Sequence, residues 1–426
     1  MHYQPTRRVA IVGSKRIPFL RSNTNYAEAS NQDMMTAALQ ALVSDYRLDG
    51  LRLGDVSLGA VLKHSRDWNL ARECVLGTAL SPETPAFDLQ RACGTSLEAA
   101  ILIGNKIALG QINAGIAAGV DSVSDAPIVL SEGLRKLLLR SARGRSLGAR
   151  LKPWLGLRPR HLKPALPGVT EPRTGLSMGE STELTAKQWG VTREAQDQLA
   201  YQSHHRAAAA WEEGFYSDLV VPFAGADQDN NVRADTSTEK LAKLRTVFDR
   251  TETGTMTAGN STPLTDGAAS VLLASEDWAR AHELPVLAYL SFGQVAAVDF
   301  VRRDGLLMAP AFAVSNMLKA ADLAFGDFDL FEIHEAFAAQ TLATLAAWED
   351  AEFCRERLER DAPLGPISRD KMNIKGGSIA IGHPFAATGA RILGGLAKML
   401  NQRGGGRGLI SVCTAGGMGV TAIVEK

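Results

Sequence analysis

The chain has 426 residues, 45% of them hydrophobic, which is enough for two or three domains around a large core. Lysine plus arginine equals aspartate plus glutamate at 46 each, so the overall charge gives no footing for a nucleic-acid partner and none is expected. The four cysteines (Cys74, Cys93, Cys354, Cys413) are far apart, with neither a paired zinc spacing nor a dense disulfide framework, and no apolar run is long enough to span a bilayer.

Strand-like runs alternate with helical patterns from the start. Val9–Val12 reads as a strand, which leaves no room before it for a signal peptide and gives a cytoplasmic expectation. Asp33–Ser44 reads as a helix, Asp55–Val61 as a strand, Thr95–Leu109 as a buried helix and Ile116–Val120 as a strand. Thr182–Trp211 reads helical and is rich in Ala, Gln and His. Later, Val286–Leu290 is a strand, Ala311–Ala324 a helix, Leu330–Ile333 a strand, Ala386–Met399 a helix and Gly408–Val412 a strand. The repeated order predicts an α/β fold made of two duplicated halves. The N-terminal half is expected to cover 1–125 and 253–275, a loop domain 126–252, and the C-terminal half 276–426.

The segment Ser131–Arg173 is of another kind. It carries eleven basic residues against Glu132 and Glu171, with leucines interleaved. Such a stretch suits an anionic membrane, a partner subunit or the phosphates of a nucleotide-bearing substrate, and a solvated insertion with leucines packed on its own domain is the bland alternative.

Cys93 stands where an apolar run meets a small-residue turn and opens the helix at Thr95. A thiol at a helix N-terminus is expected to favour the thiolate, the reactive nucleophile. Gly382-His383-Pro384 and Cys413-Thr-Ala-Gly-Gly occupy turns in the other half that can serve it. Duplication brings the helix N-termini after Cys93 and His383 together at a pseudo-twofold axis. Cys74 and Cys354 match no motif and are read as structural.

Five segments together carry a resemblance: Arg91-Ala-Cys93-Gly-Thr-Ser, Thr257-Ala-Gly-Asn-Ser-Thr-Pro-Leu-Thr-Asp-Gly-Ala-Ala269, His334-Glu-Ala-Phe-Ala-Ala339, Gly376-Gly-Ser-Ile-Ala-Ile-Gly-His-Pro384 and Cys413-Thr-Ala-Gly-Gly-Met-Gly419. In order and spacing they resemble the thiolase family across nearly the whole chain. The likeness is greatest to the degradative 3-ketoacyl-CoA thiolases that form the β-subunit of trifunctional-type fatty-acid oxidation complexes, on the strength of His334, Ser177-Met178 and the basic insertion. The resemblance implies a layered αβαβα core with an inserted loop domain. It implies Cys93 as the acylated nucleophile, His383 as its base, Cys413 as the second acid/base and His334 as a group at the thioester oxygen. Backbone N–H groups of Cys93 and Ala415 would form an oxyanion hole, although Ala415 stands where the family usually has Gly. Thr262, Ser261, Phe248 and Met178 are implied at the CoA and acyl site. Acyl-CoA and CoA are substrates, with no metal and no other cofactor. The implied assembly is a homodimer or a dimer of dimers, with a hydratase/dehydrogenase α-subunit and peripheral membrane contact through 131–173 as further partners. A biosynthetic acetoacetyl-CoA thiolase, a ketoacyl synthase and a non-enzymatic acyl-CoA-binding subunit are the alternatives. Cys413 speaks against the second, and the presence of all three reactive residues against the third.

Overall fold

The structure is a computed structural model that describes residues 6–168 and 170–426; the first five residues of the N-terminal half and position 169 of the basic segment lie outside the described residues. Among the described residues there are ten strands: β1 Val9–Arg16, β2 Leu20–Arg21, β3 Asp55–Gly59, β4 Ala86–Asp88, β5 Ala114–Asp121, β6 Thr265–Ser275, β7 Ala288–Ala297, β8 Leu330–Ile333, β9 Arg407–Thr414 and β10 Met418–Glu425. Their order is β4-β3-β5-β6-β1-β7-β10-β9-β8, with β2 added on β6. The order 3-5-6-1 on one side is matched by 8-9-10-7 on the other. The pairing types match too: β3–β5 and β8–β9 are parallel, and β5–β6, β6–β1, β9–β10 and β10–β7 are antiparallel, while β4 is an extra parallel strand beyond β3. Only Ala10↔Tyr289 and Ile11↔Ala288 join the halves at β1–β7.

Strands β1, β5 and β6, in the interior of the sheet, are buried along their whole length, which is why they carry apolar runs rather than a clean alternation. Two helices, Thr95–Ala108 and Thr388–Arg403, pack against each other and touch strands of both halves, so they form the central layer. Their core includes Leu97, Ile103, Ala390, Leu393 and Leu396. A separate cluster covers the far side of the first half through Asn31–Asp45 and Leu70–Leu76, and another covers the second half through Ala309–Ala321 and Ala338–Glu349. The result is the layered αβαβα arrangement.

Several sequence expectations need correction. Thr182–Trp211 is two helices, Met178–Gln188 and Arg193–Glu212, parted at Gly190, whose φ of +61° suits a residue without a Cβ. The strand placed at Val286–Leu290 starts at Ala288 and runs on to Ala297, because its later residues pair with β10 along an outward-facing edge of mixed polarity. Strands β6 and β10 were not foreseen. Within the basic segment, Glu132–Ala142 and Leu147–Leu151 are helical. Its leucines do not form a buried core of their own: Leu137 is 6% exposed, but Leu147 is 75% and Leu155 89% exposed.

Candidate active site

The turn that carries Cys93 is held by a threonine. The Thr95 hydroxyl accepts from the Arg91 N–H at 2.9 Å and donates to the Ala92 carbonyl at 2.7 Å. Between them Ala92 sits at φ +43°, a left-handed conformation that costs a non-glycine residue on the order of 1 kcal/mol. Gly94 then passes close to β10, where a Cβ would come within 2.6 Å of Val420. The half-buried Cys93 is thereby set at the mouth of the central helix.

His383 comes from the equivalent approach in the second half. Gly382, at φ +109°, packs against Thr265, and Thr265 Oγ1 accepts from the His383 N–H at 3.2 Å. The His383 ring places Nδ1 2.6 Å from Thr388 Oγ1, at the start of the second central helix. His334 follows β8 directly, and its N–H donates to the Ser411 carbonyl of β9. The two imidazole rings are 4.2 Å apart. Cys93 Sγ and one ring nitrogen of each histidine lie within 4.8 Å of one another. A thiol and two imidazoles are also a soft donor set to which zinc could coordinate.

Cys413 lies near the end of β9, fully buried, with its Sγ 3.4 Å from Gln340 Oε1. A charge on Cys93 is felt at Cys413, and the backbone amide of Ala415, two residues on, lies by the Cys93 sulfur and favours its charged form. Ala415 is not among the positive-φ residues, whereas Gly416 and Gly417 are, at +78° and +69°. Alanine therefore fits where only an amide is needed.

The electrostatics overturn one expectation. Burial pushes the Cys93 thiol up to about 12, with the amides of Ala415 and Cys93 pulling it back and Asp121 adding to the rise. Desolvation outweighs the helix N-terminus, so the resting group is a thiol rather than a thiolate. Burial also drives His383 down to about 3, reinforced by the Arg391 charge, and holds His334 well below its ordinary value. Cys413 is raised well above its ordinary value by burial and by Cys93. At neutral pH the four groups are uncharged, and both imidazoles have a nitrogen able to accept a proton.

The residues expected at the substrate site divide. Met178 packs in one apolar cluster with Cys413, Leu306, Leu307, Phe300 and Phe337. Phe248 is edge-on to Phe337 at 5.8 Å, one layer further out. The Thr262 hydroxyl donates to the Ala336 carbonyl at 3.0 Å, which ties it to the loop after His334 and leaves its lone pairs free. Ser261 has a buried hydroxyl without a protein partner, and it lines a cavity of about 330 Å³ with Arg21, His204, Arg233 and Lys240. A cavity of about 440 Å³ near Arg7, Arg8 and Tyr289 includes none of these residues.

Sequence reasoning missed Gln340, Ser378, Arg391 and Asp121. Asp121 accepts from the N–H groups of Val61, Leu62 and Ala386, pinning the loop after His383 to the end of β3. The available signal was polarity out of place: Gln340 and Arg391 interrupt apolar helices, and Asp121 ends an apolar strand.

The model of the thiolase N-terminal domain matches residues 9–277 and that of the thiolase C-terminal domain residues 284–426. A 3-ketoacyl-CoA thiolase of Erwinia tasmaniensis is 42% identical over 427 residues, covering 98% of this chain and 96% of that protein. One from Pectobacterium atrosepticum is 43% identical over 424 residues, with 98% and 96% covered. Among solved structures, the Bacillus anthracis acetyl-CoA acetyltransferase aligns with a TM-score of 0.83 at 28% identity, covering 99% of this chain and all of that one. Human mitochondrial 3-ketoacyl-CoA thiolase aligns with a TM-score of 0.80 at 30% identity and 99% coverage of both.

Proposed function

The chain belongs to the thiolase family, and from that premise we propose that it is a 3-ketoacyl-CoA thiolase acting in fatty-acid degradation through an acyl-Cys93 intermediate. The observation that carries the reading is the convergence of Cys93, His334 and His383 within 4.8 Å, with Cys413 and the Ala415 amide beside them.

His383, neutral at rest, takes the Cys93 proton as sulfur attacks the ketone carbon. His334 bonds the oxygen as charge develops there. The C2–C3 bond breaks, the acyl group stays on Cys93, and the acetyl-CoA carbanion takes the proton of Cys413. The Cys413 thiolate then removes the proton of incoming CoA. The CoA sulfur attacks the thioester, whose oxygen is met by the amides of Cys93 and Ala415. The Cys93 thiolate leaves and regains its proton from His383. Each group ends in its starting state, and the products are acetyl-CoA and an acyl-CoA two carbons shorter.

Thr262, Ser261 and Phe248 lie along the pantetheine path in this reading, and Met178 forms the acyl wall. The basic cavity beside Ser261 suits the nucleotide phosphates of CoA. The division into an N-terminal half (1–125 and 253–275), a loop domain (126–252) and a C-terminal half (276–426) assigns CoA binding to the loop domain together with the Asn260-Ser261-Thr262 turn of the N-terminal half. No metal or second cofactor enters these steps. The exposed leucines and basic residues of 131–173 form a docking face toward anionic lipid or a hydratase/dehydrogenase subunit, on a cytoplasmic homodimer or dimer of dimers.

Purified protein given CoA and a series of 3-ketoacyl-CoA substrates should release acetyl-CoA and the shortened acyl-CoA in equal amounts, with higher catalytic efficiency on medium or long chains. Strict preference for acetoacetyl-CoA would make it a biosynthetic-type enzyme, and no release from any chain would overturn the thiolase reading. Reversing the charge of Arg135, Arg140, Arg143 and Arg145 should weaken binding to anionic vesicles while leaving short-chain turnover near normal.

A further inference from the structure

We propose that Ser378 and Arg391 fix the tautomer of His334, so that its Nε2 carries the hydrogen and donates it into the reaction pocket. The proposal rests on the thiolase reading above and adds two positioning residues to it. Arg391, buried in the helix Thr388–Arg403, donates from Nη2 to Ser378 Oγ at 2.8 Å. A guanidinium offers donors and no acceptor, so Ser378 Oγ accepts in that bond. The serine has one hydrogen left to give, and His334 Nδ1 stands 2.8 Å from it. Among the described residues no other acceptor is bonded to Ser378 Oγ, so its hydrogen goes to Nδ1, which is the acceptor. A ring nitrogen that accepts carries no hydrogen, and an imidazole keeps at least one, so the His334 hydrogen is on Nε2.

His334 Nε2 is buried with no hydrogen-bond partner among the described residues. A buried donor left unpaired carries a desolvation penalty, which is lifted when an oxygen bearing negative charge arrives. The serine is held firmly. It opens the short helix Ser378–Ile381 just after Gly377, whose N–H donates to Ser203 Oγ at 3.0 Å. Ser203 in turn donates to the Glu335 carboxylate, which also takes the Asn373 side-chain amide at 2.6 Å.

The two histidines of the site are then set in opposite senses by similar partners. His383 Nδ1 also faces a hydroxyl, that of Thr388 at 2.6 Å, but among the described residues no guanidinium donates to that hydroxyl. Thr388 Oγ1 is free to accept from Nδ1–H, which leaves His383 Nε2 bare as a base. Arg391 is the difference between a ring that donates and a ring that accepts.

The test is 15N spectroscopy of the full-length protein labelled at histidine, with the His334 signals identified by their loss in His334→Asn. A pyrrole-type Nε2 and a pyridine-type Nδ1 are expected. The reverse pattern, or protons on both nitrogens, would overturn the proposal without recourse to any variant at Ser378. Ser378→Ala should mix the two tautomers and lower kcat by about tenfold to a hundredfold with the KM for CoA unchanged, and Ser378→Thr should restore most of it. A Ser378→Ala enzyme with wild-type tautomer and wild-type kcat would also overturn it. The expected tautomer in a protein that cleaves no 3-ketoacyl-CoA would support the lock and overturn the thiolase reading instead.

Discussion

The two halves of the sheet repeat one strand order and treat the same junction in opposite ways. Strand β9 turns into β10 through three residues, 415–417. Strand β5, in the matching place, is separated from β6 by residues 122–264. The short turn holds a thiol and an amide against Cys93 with little freedom. The long excursion forms the basic cavity and the wall around Met178 and Phe248. On the proposed reading, the tight junction serves the chemistry and the expanded one recognition. On that reading the nucleophile still comes from the first half, and His334, His383 and Cys413 from the second.

The largest expected effect tests that division. Cys93→Ser should lower turnover about 10⁴-fold or more, with no acyl adduct on the residue-93 peptide by mass spectrometry. Cys413→Ala should cost about 10²- to 10⁴-fold in the full cycle while Cys93 still becomes acylated. Acyl label on Cys413 would reverse the roles given to the two halves.

Next comes reactivity in the free enzyme. With Cys93 raised to about 12 from an ordinary 9.0, its thiolate fraction is small at neutral pH and grows as pH rises. The alkylation rate at Cys93 should climb about tenfold per pH unit from pH 6.5 to 8.5. A plateau above pH 7 would show a resting thiolate–imidazolium pair.

The tight turn can be probed by stability. Gly417→Ala forces a Cβ at φ +69° to within 2.5 Å of Phe300, and should lower stability by about 1–3 kcal/mol in thermal denaturation. Ala415→Gly, at a position without positive φ, should cost under about 1 kcal/mol. Equal effects would mean that the turn is not held as described.

The last probe concerns Glu332, on β8. Burial pushes it up to about 8, with Arg391 partly offsetting the rise. The folded state keeps a proton that the unfolded chain releases near 4.5, so this group's stabilising contribution is lost as pH rises from about 4.5 through 8. Glu332→Gln removes the titration. Its Tm relative to the wild type should increase between pH 5 and 8, by at most the equivalent of about 1.4 kcal/mol per pH unit. A difference independent of pH would place the group's proton elsewhere.

The sequence by itself determined much of this protein. The apolar strands and central helices were legible because burial on both faces leaves continuous apolar runs. The turns at Cys93, His383 and Cys413 were legible because small residues and a thiol at a strand end are chemically unusual. Strands β6 and β10 were less so, since each gains its identity from pairing with a strand distant in the chain. The break at Gly190 was hidden inside a long polar helical pattern. Tertiary structure alone decided the charge state of Cys93, because desolvation depends on everything packed around the sulfur. It alone brought Arg391 to Ser378 and Ser378 to His334, residues separated by 13 and 44 positions. A hydroxyl's direction is set by the donors around it in space, and no spacing along the chain encodes that.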